Sequence, residues 1–158
     1  MTGRVVIIMG SKSDLAHVDK ITAQLDAFGI AYKRHVASAH KSVRHLLGIL
    51  DTYEGGEEPL VYITVAGRSN ALAGMVDANT VYPVITSPPV TGTFAGADIY
   101  SSLRMPSGVA PAVVLDPAGA ALAAAKIVGL CDPGVRQGIA AYQEAMTLSV
   151  VAADESLA

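Results

Sequence analysis

The chain has no tryptophan, two phenylalanines and one cysteine in 158 residues, and only 16% of it is charged. Each scarcity excludes something. A lone Cys131 can form no disulfide framework and no cysteine cluster for a metal; its place near a helix end reads as that of a small hydrophobe. No cluster of Lys and Arg occurs and the net charge is −3, which argues against a nucleic-acid footprint. No apolar run approaches the roughly 18 residues that a membrane span needs. The first apolar run stops at Gly10 and is followed by polar residues, so it does not read as a signal peptide. A cytoplasmic enzyme or binding domain is expected. Charge is rarest between Ser69 and Ala125, where Asp77, Asp98, Arg104 and Asp116 are the only charged residues. So little charge over that length implies surface that never meets water, and hence an oligomer with large subunit contacts.

What the chain does have is alternation of apolar runs with amphipathic segments. The run Val5 to Met9 is continuously hydrophobic, the pattern of a strand buried on both faces of a parallel sheet. Gly10 ends it, and Ser11, Ser13 and Asp14 open a helix with apolar positions at Leu15, Val18, Ile21, Leu25 and Phe28. A strand, a glycine turn and a helix start bring free N–H groups and serine hydroxyls to one point, a natural seat for a phosphate or carboxylate. The plainer alternative is that Ser13 caps the helix and Asp14 complements its dipole. The stretch matches neither a Walker A loop nor a GxGxxG fingerprint.

A second strand is expected at Ala31–Ala37, followed by Ser38-Ala39-His40-Lys41 and a helix with its buried stripe at Val43, Leu46, Leu47 and Leu50. The third strand, Leu60–Val65, is rich in β-formers and ends in Ala66-Gly67-Arg68-Ser69-Asn70, a turn into a short helix through Leu72, Met75 and Val76. Pro83–Thr86 and Ala112–Leu115 give the fourth and fifth strands. Between them, Ser87 to Gly108 is a long Pro- and Gly-rich loop with a helical turn near Asp98–Leu103, and loops of that length are usually functional. Pro117 starts an alanine-rich helix expected between layers. The last helix, about residues 132–153, has apolar positions at Val135, Ile139, Tyr142, Met146 and Val150.

This alternation implies one α/β domain over residues 1–158: a three-layer α/β/α sandwich on a five-stranded parallel sheet. With flavodoxin-like order 2-1-3-4-5, the turns at Ser11, His40 and Arg68 lie side by side beyond the carboxyl ends of the strands, where ligands bind.

Four stretches resemble the PurE family of purine biosynthesis: GSKSD at 10–14, SAHK at 38–41, AGRSNALAG at 66–74 and SSLRMPSG at 101–108. The third and fourth, and Lys41 where the mutase branch usually has arginine, resemble class II, the aminoimidazole ribonucleotide (AIR) carboxylases, which use free CO2. The resemblance implies an AIR substrate, no cofactor and no metal. It further implies a homo-octamer whose C-terminal helix packs on neighbouring subunits.

Carboxylation leaves one ring carbon carrying both a proton and the new carboxylate, and an imidazole titrating near neutral pH can take that proton. His40 is the expected catalytic group. His17, His35 and His45 have no comparable setting, the first and last being on polar helix positions. The resemblance makes Gly10, Ser11, Ser13, Asp14, Ser38 and Ala39 substrate-binding, with Lys41 adding a cation that lacks the planar fork of arginine. Ala66, Gly67 and Arg68 are expected to line the CO2 site, with Ser69 capping the helix and Arg68 alternatively holding a subunit contact. Met105, Ser107 and Gly108 are expected to wall the base, although Met105 suits ordinary core equally. Two other readings stay open: the class I mutase, which moves a carboxylate within carboxyaminoimidazole ribonucleotide, and a non-catalytic nucleotide- or flavin-binding module. The missing tryptophan and two phenylalanines count against a flavin sandwich.

Overall fold

A computed structural model describes residues 3–157. Five parallel strands, β1 (Arg4–Met9), β2 (Ala31–Val36), β3 (Leu60–Val65), β4 (Val84–Thr86) and β5 (Ala112–Val113), form one sheet in the order β2-β1-β3-β4-β5. The helices are α1 (Leu15–Ala27), α2 (Val43–Asp51), α3 (Ala71–Asp77), α4 (Tyr100–Leu103), α5 (Pro117–Val128) and α6 (Pro133–Glu155). The expected sandwich and strand order are both present.

The continuous apolar runs of β1 and β3 follow from burial on both faces. Val5, Ile7 and Met9 of β1, with Val61, Ile63 and Val65 of β3, face α1 and α5. Val6 and Ile8, with Leu60 and Tyr62, face α2 and α3. The alanines of α5 explain themselves in the same way. Ala120, Ala121, Ala124 and Ala125 are all fully buried, and so small a surface lets the helix lie close to α1 and the sheet. Register is even: Arg4 is level with both Ala31 and Leu60, and Met9 with both Val36 and Val65. The three strands therefore end together, and their outgoing turns leave from one edge.

Several boundaries differ from expectation. The fifth strand pairs only at Ala112 and Val113, because β4 is three residues long and offers no further partner except the Thr86 carbonyl, which accepts from Val114 N at 3.0 Å. Val43 of α2 is exposed, and Ile49 takes its place in the buried stripe beside Leu46 and Leu50. Cys131 is exposed in the turn between α5 and α6, not packed as a small hydrophobe. The last helix divides in two. Val135 and Ile139 are buried, and Tyr142 packs edge-on to Phe28 with ring centroids 5.4 Å apart. Beyond Tyr142 the helix leaves the body, and Met146, Leu148, Val150 and Val151 are exposed.

Candidate active site

The three turns expected to converge do so. A cleft of about 560 Å³ is lined by Gly10, Ser11, Ser13 and Asp14 after β1 and by Ser38, Ala39, His40 and Lys41 after β2. Ala66, Gly67, Arg68 and Ser69 after β3 complete that floor, and Leu72, Pro89 and Thr91 close the side.

The first turn is a short 3-10 segment, Lys12–Asp14, and Ser11 is its cap rather than Ser13. Ser11 Oγ accepts from Ser13 N at 3.2 Å and from Ser13 Oγ at 2.9 Å, which leaves its own proton free to donate into the cleft. Asp14 reciprocates by accepting from Ser11 N at 3.1 Å, a capping box. Burial raises the Asp14 carboxyl above the ordinary carboxylate range, against the lowering effects of the Ser11 N–H and of nearby His17. The turn thus combines hydroxyl donors with one carboxylate already held by backbone.

The second turn is fastened by two serines. Ser38 N donates to Ser42 Oγ at 2.9 Å, Ser42 N donates to Ser38 O at 2.8 Å, and Lys41 N donates to Ser38 Oγ at 3.2 Å. This closed loop lifts His40 onto the cleft rim, where its ring is exposed. As in the first turn, a serine oxygen occupied as acceptor keeps a free O–H for a ligand.

The third turn is shaped by backbone. Arg68 sits in the left-handed region at φ 59°, and Gly67 approaches Pro89 closely. Asn70, not Ser69, caps α3 by accepting from Ala73 N at 3.2 Å. Its amide donates to Thr86 Oγ1 at 2.8 Å and Ser102 Oγ at 3.0 Å, so a buried asparagine ties the turn to β4 and to α4. The long loop is in turn buckled on Asp98, whose Oδ2 accepts from Thr91 Oγ1 at 3.1 Å and Thr91 N at 3.4 Å. That contact holds Thr91 against the cleft.

Met105, Ser107 and Gly108 do not line this cleft. Met105 borders a separate hollow of about 640 Å³ between α3 and the segment after α4. Its sulfur lies 3.2 Å from where a Cβ on Gly74 would be, so it packs on the glycine face of α3. Ser107 and Gly108 form an exposed turn, with Gly108 at φ 86°. Leu72, Pro89 and Thr91 were not expected in the site. Leu72 follows directly from the third turn at the start of α3, whereas nothing local marks Pro89 and Thr91, whose position depends on how the long loop returns over the sheet edge.

Two histidines have firmer settings than their helix and strand positions suggest. His35 Nε2 lies 2.7 Å from Tyr53 Oη, and burial lowers its pKa, as do His45 and Lys33. His17 is half-buried with Nε2 2.9 Å from Ser87 Oγ. Among the described residues no group of three or more His, Cys, Asp or Glu is arranged to hold a metal. No helix among them is long and apolar enough to cross a membrane.

Residues 4–149 match the family described as AIR carboxylase. A phosphoribosylaminoimidazole carboxylase of Archaeoglobus fulgidus is 54% identical over 154 residues, covering 98% of this chain and 84% of that protein. A protein of the same name from Treponema denticola is 47% identical over 97% of this chain and 96% of its own length. The crystal structure of Treponema denticola PurE superposes with a TM-score of 0.96 at 46% identity, covering 98% of each chain.

Proposed function

The chain belongs to the AIR carboxylase family, and on that premise we propose that it joins free CO2 to the aminoimidazole ring of AIR by the class II route. The observation that carries this reading is one cleft shared by His40, the Ser11–Asp14 turn and Gly67. A substrate anchored by its phosphate and carrying an electron-rich ring needs those three things: a donor-rich turn, a titratable group, and a small site for CO2.

The ribose phosphate end belongs with the free hydroxyl protons of Ser11 and Ser38 and the Lys41 ammonium. Charge-assisted bonds from such donors are about twice as strong as neutral ones. Asp14, as an acceptor, suits a ribose hydroxyl. The ring carbon attacks CO2, forming the C–C bond while one C–O π pair moves onto oxygen to give the carboxylate. That carbon still carries its proton. His40 takes it, the C–H electron pair returns to the ring, and aromaticity is restored. In reverse, the imidazolium protonates the same carbon and CO2 leaves. Neutral CO2 suits the small pocket at Ala66, Gly67 and Arg68, where Gly67 brings backbone close to a ligand.

The class I mutase is the second reading, and Lys41 together with Gly67-Arg68-Ser69-Asn70 favours class II over it. Incubation with AIR and bicarbonate, without any ATP-dependent partner enzyme, separates the two. Rapid formation of ring-carboxylated product supports the carboxylase; turnover only with the carboxylated amine supports the mutase. A yellow preparation, or nucleotide binding without turnover, would favour the non-catalytic module.

The active form in this reading is a homo-oligomer, an octamer by family resemblance. Its support here is the apolar distal half of α6, left without a partner in one chain. A free, exposed Cys131 fits a reducing cytoplasm.

A further inference from the structure

We propose that His17, through Ser87, is a positioning residue for AIR binding, holding two walls of the substrate cleft at a fixed separation. The inference rests on the cleft being the AIR site.

His17 does not line the cleft. It lies on the first turn of α1, three residues after Asp14, so its backbone continues directly from the phosphate-side turn. Its Nε2 is 2.9 Å from the hydroxyl oxygen of Ser87, a residue seventy positions away and fully buried. Ser87 is fixed in its own right. Its N–H donates to Thr64 O at 2.9 Å, and its hydroxyl donates to Leu115 O at 3.5 Å. With that proton turned toward Leu115, Ser87 Oγ accepts and His17 Nε2 donates. A single imidazole therefore links the start of α1 to the ends of three strand segments, β3 through Thr64, β4 through Ser87, and the chain after β5 through Leu115.

The consequence for the cleft follows from what Ser87 precedes. Pro88 and Pro89 come next, and Pro89 and Thr91 line the same cleft as the Ser11–Asp14 turn. Two consecutive prolines transmit position stiffly, because each fixes φ near −65°. Pro89 is also seated against Gly67, and Thr91 against Asp98, so the segment itself has little slack and the imidazole bond is what ties α1 to it. Cutting the imidazole bond frees α1 and its turn to shift relative to the Pro89–Thr91 wall. His40, on the turn after β2, is outside this linkage.

Loss of the bond should therefore weaken substrate capture and spare the chemical step. In the intact assembly, His17→Phe should raise KM for AIR about tenfold, ~1.4 kcal/mol at 25 °C, with kcat within about twofold. Ser87→Ala should do the same. The two changes combined should cost no more than either alone, since both break one bond. His17→Gln, whose amide nitrogen reaches the imidazole Nε2 position, should recover most of the wild-type KM. Wild-type enzyme that turns AIR over while His17→Phe leaves KM unchanged overturns the inference and leaves the carboxylase reading intact. So does a loss confined to kcat, or a KM rise that His17→Gln does not reverse. A wild-type protein that does not turn over AIR at all refutes the reading beneath it instead. Should His17→Phe fail to fold, the Ser87→Ala and His17→Gln pair gives the same decision from KM and kcat.

Discussion

Gly67 and Pro89 meet so closely that no side chain fits between them: a Cβ on Gly67 would lie 2.7 Å from the Pro89 carbonyl oxygen. The long loop after β4 is seated on the turn after β3 by this contact. Gly67→Ala must push backbone, not a flexible side-chain end, and so should move Pro89 and Thr91 outward. We expect kcat/KM to fall by at least about tenfold, ~1.4 kcal/mol, while the melting temperature drops by only a few degrees. A steady-state assay beside a thermal melt checks both.

His40→Asn removes the proton acceptor from an exposed ring on a turn that Ser38 and Ser42 close without it. Turnover should fall by about 10²- to 10⁴-fold, the usual worth of a positioned general base. The melting temperature and assembly should not change. Near-normal rates in this variant would refute the assigned role.

The pH dependence of stability has a definite sign at His17. Burial, and secondarily Lys20, lowers its pKa below 6.5, while Asp14, Asp116 and the Ser87 backbone pull the other way. Below pH 6.5 the unfolded chain then binds more protons than the folded one, so stability is lost as pH falls through that range. His35 contributes in the same direction. Thermal melts at pH 7.5 and 5.5 should show a smaller drop for His17→Gln than for wild type. Equal drops would mean that His17 titrates alike in both states.

The distal half of α6 gives a prediction about assembly. A cut after Asp132 would also remove Val135, Ile139 and Tyr142, which belong to the body of the chain. A cut after Gln143 spares them and deletes Met146, Leu148, Val150 and Val151. The shortened protein should stay folded by circular dichroism but sediment more slowly than mass loss alone explains. An unchanged oligomer would show that other surfaces hold the subunits; Val81, Tyr100 and Leu103 are also exposed apolar residues.

What could be read from the sequence was what depends on near neighbours or on a repeated pattern. The runs Val5–Met9 and Leu60–Val65 gave themselves away because strands buried on both faces carry no polar alternation. Convergence of Ser11, His40 and Arg68 followed from strand order alone. Caps were less legible where two candidates adjoin. Ser11 and Ser13 both precede the helix, and only the spacing Ser11-x-x-Asp14 signals the capping box that forms. Ser69 and Asn70 are equally able to cap, and burial of Asn70 among Thr86, Ser102 and Ala73 decides between them. His17 could not be found, since a helical wheel reports a residue's own helix and Ser87 is seventy positions off. Thr91 enters the cleft through Asp98 by a loop whose path no periodicity encodes.

Arg68 holds a left-handed backbone that costs a non-glycine residue about 1 kcal/mol or more, and glycine would adopt it freely. A laboratory screen for heat tolerance alone should therefore enrich Arg68→Gly. Variants recovered that way would grow sturdier while losing whatever the guanidinium contributes at the mouth of the cleft, so selection must score catalysis alongside survival.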